Sequence, residues 1–165
     1  MMTAHELLGF MSPGLAQEIL EFSYANDKPL YRSILNAVAE ARKLRPVFYE
    51  RKPRVERHVD MLAMLSRPRL EPMAGLLVRS WLLKTKTPML RDFLDALGIA
   101  HEDGVVEDLP KAVEDAKLNA AIDALLAKHS QESVVVYLNA FQTMNEATWP
   151  NLATALSSDP RLQLK

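Results

Sequence analysis

Two stretches decide the fold: PLYRSILNAV at residues 29–38 and PMLRDFLDAL at residues 88–97. Each opens on a proline, whose fixed φ and missing N–H suit the first turn of a helix and little else in regular structure. Each then repeats apolar side chains every third or fourth residue: Leu30, Ile34, Val38 and Ala41 in the first, Leu90, Phe93, Leu94 and Leu97 in the second. That period belongs to one face of an α-helix. Asp27 and Thr87 stand where caps are needed, and Gly98 stands where a left-handed residue would end the second helix.

The same signal extends outward. Ser12 and Pro13 begin a helix with Leu15, Ile19 and Phe22 on one side. Pro46 and Lys52-Pro53 mark corners. Val55, Val59, Leu62 and Leu65 predict the buried stripe of a helix that stops near Arg67-Pro68, and Pro72 starts a strongly apolar helix running through Leu83. His101 to Leu109, acidic and containing Gly104, reads as a loop. Pro110 is expected to open a helix with Val113, Leu118, Ala121, Ile122 and Leu125 inward, ending near His129. Ser130 caps another, with Val134, Leu138 and Phe141, and a last helix runs from Thr148 to Leu156 before a tail expected to fray. The β-branched runs Val105-Val106 and Val134-Val135-Val136 raise a two-stranded ribbon as the alternative, but such a ribbon is marginal without a larger sheet.

The predicted fold is therefore all-α: a single domain over residues 1–165, with seven to eight helices as consecutive hairpins. A shift of 59 positions superposes Pro13, Ile19, Phe22 and Pro29 on Pro72, Val78, Trp81 and Pro88, and Arg32 on Arg91. A second such shift brings Trp149, Leu152 and Leu156 under Tyr31, Ile34 and Val38. Units at 12–66, 71–128 and 130–158 would make a short solenoid-like repeat. Chance register between amphipathic helices would leave a compact bundle, and both readings stay open.

Composition is that of a globular chain, 48% hydrophobic and 25% charged, and there is no cysteine. That removes disulfides, thiolate metal sites and cysteine nucleophiles, and it fits a reducing, cytoplasmic setting. The first residues do not read as a secretory signal, and the longest apolar runs fall short of a membrane span, so no membrane partner is expected.

Charge is divided by region. Residues 28–91 carry a net +10 and residues 92–165 a net −7, within an overall −1. The basic excess peaks at Arg42, Lys43, Arg45, Arg51, Lys52, Arg54 and Arg57, continues to Arg67 and Arg69, and encloses Phe48 and Tyr49. Cations around aromatic rings suit phosphates and stacked bases. The same residues would also suit a protein partner or another copy of the chain, or simply solvate a helix corner whose two rings plug the core.

Motifs for chemistry are missing. His5, His58, His101 and His129 show no metal-ligand spacing, and the acids at 102–108 lack the alternation of a calcium loop. There is no nucleophile elbow, phosphate-cradling glycine loop or dinucleotide fingerprint. Glu18/Glu21 and Asp92/Asp95 read as solvated acids, His58 as a satisfied or solvated histidine, and Met61, Met64, Met73, Met89, Trp81 and Trp149 as core. No cofactor or metal is expected. The sequence points first to a non-enzymatic interaction or scaffold module, with self-association in view, and second to a nucleic-acid binder using residues 42–69. A small-molecule or catalytic helical domain is the third reading, to be promoted by a cavity that gathers His58 or His101 with acids.

Overall fold

Proline placement sets many of the helix starts. The computed structural model describes residues 1–164 and forms ten α-helices with, among the described residues, no strand. They are α1 (Ala4–Phe10), α2 (Pro13–Asn26), α3 (Lys28–Ala41), α4 (Pro46–Glu50), α5 (Arg54–Leu65), α6 (Glu71–Thr85), α7 (Thr87–Ala96), α8 (Asp115–Lys128), α9 (Gln131–Met144) and α10 (Pro150–Ser158). The two beyond the expected eight are α1 and α4, of seven and five residues, too short to display a helical period. Short 3-10 turns at Pro68–Leu70 and Pro160–Leu162 complete the regular structure. Ser12 and Asp27 cap α2 and α3 as expected, Ser130 caps α9, and Gly98 takes a left-handed φ of 69° just past α7.

The chain divides into two compact units, Met2–Trp81 and a second formed by Met1 with the residues from Leu82 onward. In the first, α2 packs on α3 and α5, α3 also meets α4 and α5, and α1 lies against α5. Ile19, Leu20, Ile34, Val38, Met61 and Leu65 are sealed from solvent there. Helix α1 is too short to hold itself. Its free N-terminal N–H groups are met by Glu71, which accepts from the Ala4 and His5 amides at 2.9 and 2.8 Å and from the His5 ring at 2.5 Å.

In the second unit α7 packs on α8, α8 on α9 and α10, and α9 on α10. Its centre is an aromatic cluster: Phe93, Tyr137 and Phe141 meet edge to face at 5.3–5.8 Å, and Trp149 tilts onto Phe141 at 5.1 Å. The β-branched run 134–136 is buried inside α9. The ribbon alternative reduces to an isolated bridge between Glu102 and Val105.

Four local expectations are corrected. On α5 the buried face is His58, Met61, Met64 and Leu65, while Val55 and Val59 stand 74% and 53% exposed. Rotating α5 gives up two valines but places His58 against the Tyr31 hydroxyl and the Glu21 carboxylate. On α3 the inner face is Tyr31, Ile34, Leu35, Val38 and Ala39, one step round from the expected stripe. Helix α8 begins at Asp115 rather than Pro110, because the Pro110 and Val113 carbonyls are turned outward to accept from the Trp149 indole and the Asn151 amide, both at 2.8 Å. The tail is tied down: Leu162 is buried, and the Gln131 amide donates to the Arg161 and Gln163 carbonyls at 2.7 and 3.0 Å.

Candidate functional site

The basic segment folds into the corner that joins α3, α4 and α5. Helix α3 ends with Lys43 at φ 58°, in the left-handed region where glycine is usual, and the Leu44 amide closes back onto the Ala39 carbonyl at 2.8 Å. Pro46 then starts α4. Each helical step turns by roughly 100°, so adjacent residues point to different sides of this short helix. Tyr49 takes the inner position at 1% exposure, and Phe48 is left 51% exposed. The Tyr49 hydroxyl donates to Asp60, which also accepts from Arg42 at 2.6 Å. Burial first, and the Asp60 contact second, push the Tyr49 phenol up to about 12.

The predicted residues thus separate into three groups. Lys43, Arg45, Arg51 and Lys52 are exposed within ten residues of one another, together with the exposed side chains of Leu44, Val47 and Phe48. Among the described residues none of these four cations has a carboxylate partner, although the Lys52 ammonium sits over the Tyr49 ring at 5.4 Å. Arg42, Arg54 and Arg57 are engaged: Arg42 with Asp60, Arg54 with Glu21 at 3.5 Å and over the Tyr24 ring at 4.9 Å, Arg57 over Tyr24 and Tyr31 at 5.7 and 5.8 Å. Arg67 and Arg69 lie beyond the far end of α5, some 18 Å along its axis from the corner by helical rise. Tyr49 is buried, so only Phe48 offers an open ring.

Sequence reasoning missed a second cluster in the same unit. His58 is buried on α5, with its Nε2 2.8 Å from the Tyr31 hydroxyl and its Nδ1 3.3 Å from the Glu21 carboxylate. The Glu21 carboxylate beside Nδ1 favours the proton there, the tautomer in which Nε2 accepts from Tyr31. Tyr24, Tyr31 and His58 pack edge to face at 5.2–5.7 Å. Burial holds the His58 imidazole below its usual value of 6.5, with Glu21 opposing. Burial also raises the Tyr31 phenol, partly offset by Arg57. A cleft of about 240 Å³ opens beside Tyr31, lined by Tyr24, Lys28, Arg32, Leu35, Glu50 and Arg57. Another of about 270 Å³ opens beside Glu21 and His58. The signal in the sequence was His58 itself, a polar residue three before Met61 and seven before Leu65 on what proves to be the buried face.

The carboxylate pairs are not merely solvated. Glu21 serves His58 and Arg54, Asp95 meets His101 at 2.7 Å, and Asp92 meets His129 at 2.8 Å and Lys128 at 3.2 Å. The His129 contact, aided by Lys128, lowers the Asp92 carboxyl below its usual range. Each of the four histidines therefore has an acid beside it. His101 also accepts the Gly104 amide on Nδ1 at 3.1 Å, so both ring nitrogens facing its acidic cleft are spent. Comparison with protein-family models, curated proteins and solved structures returns no match.

Proposed function

We propose that the protein is a non-enzymatic helical interaction module whose contact surface is the corner at residues 43–52, and that its partner is an acidic polypeptide segment bearing apolar side chains. The supporting observation is the exposure of Leu44, Val47 and Phe48 among four cations that have no carboxylate partner among the described residues. Covering the three apolar side chains is favourable at about 25 cal/mol per Å² removed from water. The cations around them then need acidic groups from the partner, which sets specificity and speeds encounter. Single-stranded nucleic acid fits less well: Tyr49 is buried, one ring remains for stacking, and the sequence pI is 6.4.

An acidic segment of this description exists in the chain itself, where Glu102, Glu107 and Asp108 surround the exposed Val105. Pairing of that loop with the corner of a second copy would be head to tail. The test titrates the full-length protein with a labelled peptide of alternating glutamate and leucine over a range of salt, beside a single-stranded oligonucleotide, with light scattering in parallel. Binding of the peptide that weakens with salt, and falls about tenfold in Phe48→Ser, supports the reading. Growth of mass at low salt, lost in the same variant, supports it with the second copy as partner. Preference for the oligonucleotide, or a monomer that binds neither, overturns it.

Two finer readings accompany this one. The repeat is supported by burial at the matched positions Tyr31, Ile34 and Val38, Leu90, Phe93 and Leu97, and Trp149, Leu152 and Leu156, and by Pro29 and Pro88 each standing second in its helix. A cytoplasmic setting is supported by the cysteine-free sequence; no described helix is long and apolar enough to cross a membrane.

A further inference from the structure

We propose that the cleft beside Tyr31, within the Met2–Trp81 unit, binds a small organic oxyanion, a carboxylate or phosphate monoester, through Arg57 and Lys28. Lys28, Arg32 and Arg57 line the cleft against a single acid, Glu50, which is taken by Arg32. Two positive charges are left over in a recess whose remaining walls are aromatic and apolar.

Arg57 Nε is buried and has no hydrogen-bond partner among the described residues, while the rest of the guanidinium meets the Tyr31 hydroxyl and lies 3.5 Å from the Glu50 carbonyl. A buried donor left unpaired is costly, more so on a charged group. The rings of Tyr24 and Tyr31 flank that guanidinium at 5.7 and 5.8 Å, and its planar fork is suited to a pair of oxygens.

The Tyr31 hydroxyl is already engaged, by His58 Nε2 at 2.8 Å and by the Arg57 guanidinium, which leaves the Tyr24 hydroxyl and the cations to meet a ligand. A recess rich in donors and positive charge suits a ligand that brings acceptors and negative charge, which is the chemistry of an oxyanion. Tyr24, Tyr31 and Leu35 offer an apolar wall to the body that carries it.

The experiment uses the full-length protein labelled with nitrogen-15, titrated separately with benzoate, inorganic phosphate and the neutral benzamide. Shifts at Arg57 Nε–H and at the His58 ring, with benzamide inert, are expected for the anions. Benzoate alone assigns an aromatic carboxylate, phosphate alone a phosphate, and both the general oxyanion, each in support. Affinity should fall about tenfold or more in Arg57→Gln. It should also fall in Lys28→Ala, an exposed position whose variant leaves the fold intact. In Tyr31→Phe the anion should still shift Arg57 while the His58 response is lost. Absence of shifts at Arg57 and His58, equal response to benzamide, or anion shifts confined to residues 43–52 would overturn the site. None of these outcomes bears on peptide binding at the corner, where Phe48 is the reporter.

Discussion

Tyr137 offers a test of packing that owes nothing to function. Its ring is 1% exposed and meets Phe93 and Phe141 edge to face at 5.6 and 5.8 Å, while its hydroxyl is buried without a partner among the described residues. Burial pushes the phenol far up, so the group is neutral. Tyr137→Phe keeps the ring contacts and removes only the oxygen. An unsatisfied buried hydroxyl costs about 1–3 kcal/mol, and the void left by one atom returns a fraction of that. A net gain of about 1 kcal/mol follows, or about 3 °C in the melting midpoint for a chain of this length. The assay is urea unfolding followed by circular dichroism, with the transition that reports α9 compared between the two proteins. A variant less stable than the parent would mean that the hydroxyl has an acceptor, and would refute the reasoning.

Further outcomes follow from individual positions. Gly104→Ala places a Cβ 2.8 Å from Leu90 Cβ at a φ of 89°, whereas Gly98→Ala meets nothing within 4 Å at a φ of 69°; urea midpoints should show the first costing about 2 kcal/mol more than the second, and equal losses would contradict this. Lys43→Gly relieves a left-handed lysine and should stabilise by up to about 1 kcal/mol while weakening the acidic peptide. Because the fold lowers the His58 value, the unfolded chain takes up its proton first as the solution is acidified, so this contribution is fully present above 6.5 and is lost as pH falls through the depressed folded value. Its ring resonances in a proton NMR titration should therefore turn over below 6.5; a midpoint above that would reverse the sign. Glu71→Gln should cost about 1 kcal/mol and loosen α1, read as faster amide exchange at Ala4 and His5.

Helix positions were legible where proline, a capping side chain and a three-to-four repeat agreed, as they do at α2 and α3; α9 had its Ser130 cap and repeat without a proline, and at α7 the expected cap Thr87 falls inside the helix, its hydroxyl donating to the Leu83 carbonyl. The choice of face was harder to read. On α5 the more apolar stripe lost to one containing His58, which packs against two tyrosines while Val55 and Val59 stay mostly exposed, and those tyrosines come from residues 24 and 31, on two other helices. Helix α8 lost its predicted first turn for a similar reason: the carbonyls of Pro110 and Val113 find donors on Trp149 and Asn151, nearly forty residues away. For the corner, the cluster of cations was visible in the sequence, but not that Tyr49 would turn in and Phe48 out. The Glu21–His58–Tyr31 chain was invisible, since three separate helical segments supply it.

The most direct test of the corner is an amide chemical-shift map of the full-length protein titrated with the glutamate–leucine peptide. The largest changes should fall on Lys43 to Lys52, centred on Val47 and Phe48, and fade as salt is raised. Changes centred on Arg67 and Arg69 or on any other surface, with the 43–52 amides unmoved at saturation, would contradict it.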